Sequence, residues 1–291
     1  MIWLCTPLRL LGWPTLLLAS FFAFIAIFGA FISPYDPARQ DLMSAMQSFS
    51  AQHWLGTDNL GRDTLSRLIA GAQTTLIGVT TVLVLAGTAG MVLGTLAGYF
   101  GGWLDEIVMR LCDFGFSVPS LFVALAIVGV FGPSYGNMIF ALSIAWVPIY
   151  ARLTRGVVAA AVAQPYIESL RVLGASPARI IFRHLIPVAL GQVLVYASAD
   201  AGLLALAIAN LSFLGLGVQP PQAEWGQMLV SAMPYIQEAP RLVILPGLAL
   251  TFLVIAFNLL GERIALAKNP RPMSRRKLSL RRVLFKKEMT A

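Results

Sequence analysis

Long apolar runs dominate this chain and leave it few architectures. Leu10–Ile32, Thr74–Tyr99, Gln192–Leu214 and Leu242–Gly261 each reach the about 20 mainly apolar residues that a transmembrane helix requires. Phe114–Phe131 and Asn137–Leu153 are shorter stretches of the same kind. Only 12% of the 291 residues are charged, where a soluble domain carries about a quarter. The expected fold class is therefore all-α: a polytopic membrane protein of about six transmembrane helices.

The cations fix the expected orientation. With the N-terminus inside, the cytoplasmic loops and tail hold 17 Lys and Arg and the opposite side holds 4, namely Arg39, Arg62, Arg67 and Arg241. Cytoplasmic flanks carry the excess of Lys and Arg, so both termini are expected inside. Ten of the 17 lie from Arg263 onward, a stretch with one acid, Glu288, and every Lys of the chain. The plain reading of such a tail is a flank against anionic lipid; no other feature supports a nucleic-acid arm, and no nucleic-acid partner is expected.

Several chemistries are excluded. The N-terminal apolar run exceeds the 7–15 residues of a signal-peptide core and no small-residue cleavage site follows it, so it reads as an uncleaved first span. Cys5 and Cys112 fall at cytoplasmic ends of different spans, with neither a disulfide framework nor metal-ligand spacing. No Gly-Lys-Ser/Thr occurs and no Lys precedes Lys268, so the chain lacks the lysine that reaches nucleotide phosphates in a P-loop. Energy for any transport comes from a partner or an ion gradient. No nucleophile–base pair or metal-ligand cluster supports a membrane-bound enzyme.

Between the first two spans, Ser33-Pro34-Tyr35-Asp36-Pro37 ends a helix. A polar, turn-rich segment follows to about Gln73, with Leu55-Gly56-Thr57-Asp58-Asn59-Leu60-Gly61-Arg62-Asp63 at its heart. His53 reads as part of that turn, and Thr64–Ala72 as a helix lying at the interface. Ala86, Gly90, Gly94 and Gly98 recur every fourth residue in the second span, as Ala197, Ala201, Ala205 and Ala209 do in the fifth. Such stripes share one helix face and let helices approach closely in lipid.

The polar stretch 164–187 reads as a helical hairpin. Pro165 suits a first turn, and Ile167, Leu170 and Leu173 fall on one face. Gly174 can take the left-handed conformation that ends a helix. Ser176 and Pro177 make an N-cap and N1 pair, and Pro187 limits the second helix. Arg171, Arg179 and Arg183 supply a basic rim. Taken alone, such a hairpin reads equally as an amphipathic interfacial loop. Asp113 is expected at the cytoplasmic interface. Asp200 lies inside the fifth span, where a carboxylate needs water, a donor from another helix or a passing cation; a structural acid and a translocation-path residue favouring cationic cargo are both open.

Glu168, Gly174 and Pro187 fall at the spacing of the Glu-Ala-Ala…Gly…Ile-x-Leu-Pro motif of ABC-importer permeases, with Ser169 and Leu170 in place of the two alanines, His184 for the Ile and Ile186 for the Leu. The 55–63 segment, Leu211-Ser212-Phe213-Leu214-Gly215-Leu216-Gly217-Val218-Gln219-Pro220-Pro221, Glu224–Leu229 and Ala256–Gly261 resemble the oligopeptide/dipeptide/nickel branch of that family. The resemblance spans roughly residues 15–270; Gly261-Glu262-Arg263 departs from the branch's usual Gly-Asp-x-Leu-Arg-Asp, and 271–291 matches nothing in it. It also supports counting the two shorter stretches as spans.

The resemblance implies the type I ABC-importer permease fold and a bacterial inner-membrane location. It implies a permease for a small peptide, nickel or a metal–chelator complex. It divides the chain into a first span with an extracytoplasmic segment (1–73), a core domain (74–265) with the coupling hairpin at 164–187, and a basic tail (266–291). The expected partners are a second homologous permease, two cytoplasmic ATP-binding subunits, an extracytoplasmic solute-binding protein and membrane lipid. ATP and Mg would bind in the partner subunits and no cofactor in this chain. The ATPase-coupling residues it points to are Glu168, Ser169, Leu170, Gly174, Ala175 and Pro187. The alternative class is an ion-coupled secondary transporter; the broken helices and paired repeats frequent in those proteins are not evident here.

Overall fold

The computed structural model describes residues 13–268. Cys5, the start of the first span and the basic tail from Asn269 lie outside the described residues. Within them the chain forms helices and turns, with one isolated bridge between Thr57 and Asp63. Helices satisfy their own backbone groups, which a hydrocarbon environment demands.

The order is α1 (Trp13–Ile32), α2 (Thr64–Phe100), α3 (Gly102–Ser117), α4 (Ser120–Phe131), α5 (Tyr135–Val162), α6 (Pro165–Val172), α7 (Pro177–Phe213), α8 (Trp225–Ala232) and α9 (Arg241–Lys268). By length and composition α2, α5, α7 and α9 each suffice to cross a membrane, and α3 with α4 adds a crossing if the bent pair is one span. Four to five spans thus stand by length and composition. The apolar α1, of which Ser20–Ile32 counts as a shorter apolar helix, adds to these, roughly in line with the six expected.

Three expectations need correction. Phe114–Phe131 is not one helix: Val118–Pro119 breaks it, and α3 meets α4 at 88°. Proline restricts the residue before it and lacks the N–H an unbroken helix needs. Thr64–Ala72 does not form a separate interfacial helix. It is the outer end of the 37-residue α2, which at about 1.5 Å per residue runs about 55 Å and overshoots the about 30 Å hydrocarbon core. Pro187 does not end the hairpin's second helix. The chain runs on from Pro177 to Phe213, passing through a π turn at Ile181–Leu185 in which Ile186 N–H bonds Ile181 O. The wider turn accommodates the ring and missing donor of Pro187.

The bundle is built on the α2–α5 crossing. A Cβ on Gly90 would fall 2.5 Å from Tyr150 Cβ, on Gly94 2.4 Å from Ala151 O, and on Gly98 2.9 Å from Arg155 O. The small-residue stripe therefore lets the α5 backbone lie directly on α2. Leu142, Tyr150, Leu204, Ile208 and Leu253 are fully buried in the shared core. Ala201, Ala205 and Ala209 are buried on α7, where Ala209 receives Gly226 of α8 at backbone contact.

Candidate functional site

The hairpin is held by a small core of its own. Ile167, Ile180 and Leu185 are fully buried against Val158 and Ala189, with Leu170 and Ala175 partly covered beside them. Burying such side chains contributes about 1.5–3 kcal/mol each, enough to give a short hairpin a fixed shape. Gly174 adopts φ +78°. Ala175 N–H reaches back to Leu170 O at 3.0 Å and Gly174 N–H to Arg171 O at 3.0 Å, the pattern that closes a helix around a left-handed residue. Ser176 Oγ then accepts from Arg179 N–H at 3.3 Å and starts the second arm. Arg171 lies 5.5 Å over the Tyr99 ring, tying α6 to the inner end of α2.

One detail of the expected apolar face is wrong. Leu173 does not join Ile167 and Leu170 inside; it is 82% exposed, beside Val172 at 83% and Phe182 at 71%. The end of α6, the loop and the second arm thus present an apolar surface flanked by Arg171, Arg179 and Arg183, all exposed. Glu168 is exposed and makes no hydrogen bond among the described residues, while Ser169 Oγ bonds back to Pro165 O at 3.0 Å. An exposed apolar surface on a scaffold of fixed shape suits docking to a protein or contact with the membrane interface.

Asp200 sits halfway along the 186–213 stretch of α7 and is 6% exposed. Its Oδ2 accepts the indole N–H of Trp146 at 2.9 Å and the hydroxyl of Tyr150 at 3.1 Å, both from α5. Tyr196, one turn below on α7, packs edge-on against Tyr150 with ring centroids 5.8 Å apart. No cation pairs with Asp200 among the described residues. Trp146 and Tyr150 were not singled out in the sequence; only their four-residue spacing, which puts both on one helix face, could have flagged them. Asp113 pairs with Arg152 and Asp105 with Arg155, so α3 is tied to the inner end of α5.

The 55–63 signature segment forms a cap. Gly56 and Gly61 take φ +71° and +70°, and a Cβ on either would strike the backbone of Gln47 or Asp41. Asp58 Oδ2 receives Arg62 Nε at 2.7 Å and lies 3.4 Å from Arg67 Nε. Asp63 caps α2 by accepting from Ser66 N–H at 2.8 Å, and its Oδ1 lies 2.9 Å from His53 Nδ1. Arg67 donates to Gln227 Oε1 at 3.2 Å, and Glu224 accepts from Thr75 Oγ and Gln227 N–H. The 55–63 and 224–229 segments, far apart in sequence, therefore lock together over the outer end of the bundle.

An inner-membrane transport component is the class of protein that this bundle and its hairpin fit. Comparison with known proteins agrees. Residues 90–273 match the family model described as binding-protein-dependent transport system inner membrane component. The chain is 41% identical over 249 residues to the glutathione transport system permease protein GsiD of Pectobacterium atrosepticum, covering 85% of this chain and 82% of that protein. It is 40% identical over 248 residues to GsiD of Escherichia coli O6:K15:H31, with the same coverages. In fold it resembles two crystal forms of the MetNI methionine ABC transporter in inward-facing conformations, with TM-scores of 0.55 and 0.56 at 21% identity, covering 69% of this chain. The chain belongs to the family of inner-membrane permeases of binding-protein-dependent ABC importers, on the peptide/nickel branch. It is a permease and not an enzyme, and the family works with a solute-binding protein and ATP-binding partners.

Proposed function

We propose that this chain forms one half of the translocation path of an importer for small peptides, with a second homologous permease as the other half and two cytoplasmic ATPases beneath. The exposed apolar tip of the hairpin, Val172, Leu173 and Phe182, carries the reading: it is an apolar, basic-rimmed surface on a scaffold held by its own small core. The 164–187 side is read as cytoplasmic from the cation asymmetry, with both termini inside. Glu168, Ser169, Leu170, Gly174, Ala175 and Pro187 belong to the coupling element. Leu170 and Ala175 fix its shape from within, and Glu168 offers a free carboxylate at the surface.

The names of the relatives favour a peptide of the glutathione kind over a metal complex, and nothing in the described residues groups ligands for a metal. Asp200 is assigned to the path as an acid that can meet the ammonium group of a peptide or other cationic cargo, supported by its lack of a cationic partner among the described residues and its place midway through α7. ATP and Mg bind in the partner subunits in this scheme. The test is reconstitution with the cognate ATPase and binding protein in liposomes. ATP-dependent uptake of a labelled small peptide, lost when Val172, Leu173 and Phe182 are all replaced by Ser, is expected; uptake driven by an ion gradient without ATP would overturn the reading.

A further inference from the structure

We propose that the seam between α1, α2 and α9 is a binding site for one membrane phospholipid with a primary-ammonium headgroup, of the phosphatidylethanolamine type. The seam has two parts stacked along the membrane normal. The deeper part is a groove of about 600 Å³ walled by all three helices. Directly outward of it is a recess of about 340 Å³ between the end of α1 and the start of α2.

The deeper groove is built for hydrocarbon. Ala26 and Ala256 leave room where larger residues would close it, and exposed Ile27 and Ile77 flank its opening toward lipid. Its two hydroxyls are already used: Thr80 Oγ donates to Leu76 O at 2.8 Å and Thr81 Oγ to Ile77 O at 2.7 Å. No wall residue therefore calls for a polar ligand. Depth follows from the helices. Ser33 Oγ donates to Ser66 O at 3.5 Å, so the outer ends of α1 and α2 stand level there. Ala26 lies about 10 Å and Ile77 about 16 Å inward of that level at 1.5 Å per residue. Water has no place in an apolar groove at that depth, and a channel bounded by three helices admits an acyl chain more readily than another helix of about 10 Å diameter.

The outer recess changes character within two turns. Ser33, Tyr35, Asp36 and Gln73 line it. Gln73 Nε2 donates to Ala26 O at 3.0 Å and marks the boundary between the two parts. Asp36 is exposed; its Oδ1 accepts from Ala38 N–H at 2.9 Å, and its Oδ2 has no partner among the described residues. Arg39 stands in the adjoining recess that shares Tyr35 and Asp36 as walls. Asp41 and Asp63 line that recess too, but Asp41 is engaged by Met43 N–H and Ser44 Oγ and Asp63 by Ser66 and His53. This leaves Asp36 and Arg39 above the apolar channel as the acid and base open to a headgroup carrying an ammonium and a phosphate. An anionic headgroup without the ammonium would meet Asp36 unfavourably.

The test uses the full chain extracted with its native partners into polymer-bounded nanodiscs, exposed to diazirine-acyl phosphatidylethanolamine or to phosphatidylglycerol with the same chain. The ethanolamine probe is expected to label peptides containing Phe22–Ile27 and Leu253–Leu260, exceeding the glycerol probe about threefold, as one exposed ion pair allows. Ala256→Phe should remove label from those peptides for both probes. Asp36→Asn lies outside the groove and should equalise the two probes without lowering the total. Label spread evenly over the lipid-facing helices, or label unchanged by Ala256→Phe in protein of normal melting temperature, would overturn the site. A benzophenone at Ile27 that captures the second permease rather than lipid would also overturn it and make the seam a subunit interface.

Discussion

The indole N–H of Trp146 and the carboxylate of Asp200 meet at 2.9 Å across the α5–α7 interface. The bond lies well inside the bundle, and Tyr150 shares the same oxygen. Both donors are neutral, so the carboxyl group is held in place with no cation against it among the described residues.

Asp200→Asn keeps an acceptor oxygen for both donors and removes the charge. Its melting temperature in detergent should stay close to wild type, while uptake of a cationic peptide at limiting concentration falls. Asp200→Leu leaves Trp146 and Tyr150 without an acceptor, costing about 1–3 kcal/mol for each orphaned donor, and should melt measurably lower. Unchanged cationic uptake in Asp200→Asn would leave the acid a purely structural clasp.

Gly174 has open space around its α-carbon but sits at φ +78°. The penalty for a side chain there is conformational and not steric crowding. Gly174→Val should lower ATPase association and substrate-stimulated ATP hydrolysis, with membrane insertion retained; Gly174→Asn should recover much of the loss, because Asn tolerates the left-handed region. Equal hydrolysis by the Val variant and wild type would remove the coupling role from this turn.

Gly94 is the reverse case. Its φ is helical, yet any Cβ would lie 2.4 Å from Ala151 O and 2.7 Å from Thr154 Cβ. Gly94→Leu must push α2 and α5 apart, and overpacking of this kind costs about 1–3 kcal/mol or more. Reduced resistance to denaturing detergent is the expected readout, with Gly129→Leu, where nothing lies within 4 Å, as the tolerated control.

Arg67 is buried and joins the cap to α8 through Gln227 and to Asp58. Arg67→Ala removes one partner of a buried charged network, a change that costs about 3–5 kcal/mol in comparable sites. Protease added outside should cut the 36–63 segment of the variant faster than that of wild type. Equal cutting rates would mean that the Gly56 and Gly61 turns alone hold the cap.

For topology, single cysteines at Ser48 and Ser176 in a background lacking Cys5 and Cys112 give opposite outcomes with a membrane-impermeant maleimide in sealed cells. Ser48→Cys should label and Ser176→Cys should be spared. The reverse pattern would invert the orientation.

Much of this was legible from residue order because the signals were local. Gly174, Ser176 and Pro177 act within one turn of themselves, so the hairpin's turn and caps could be placed from spacing alone. The Gly90–Gly94–Gly98 stripe reports a close crossing through its own periodicity. What stayed hidden depends on partners distant in sequence. Nothing local to Asp200 names Trp146, and nothing in the 55–63 segment names Glu224 or Gln227. Leu173 departs from the helical spacing because the helix stops at Val172 and Leu173 is its C-cap. Pro187 is no stop here because a signal strong in an α-helix is absorbed by the π turn before it, which hydropathy does not register.

That π turn sets a phase. It inserts one residue beyond the regular repeat, equivalent to about 100° of rotation at 3.6 residues per turn. The outward-facing side of Phe182 and the side of Asp200 are therefore keyed to each other like two cams on a common shaft. Deleting one residue from Ile181–Leu185 would keep the shaft whole while setting the two cams about a quarter-turn out of time.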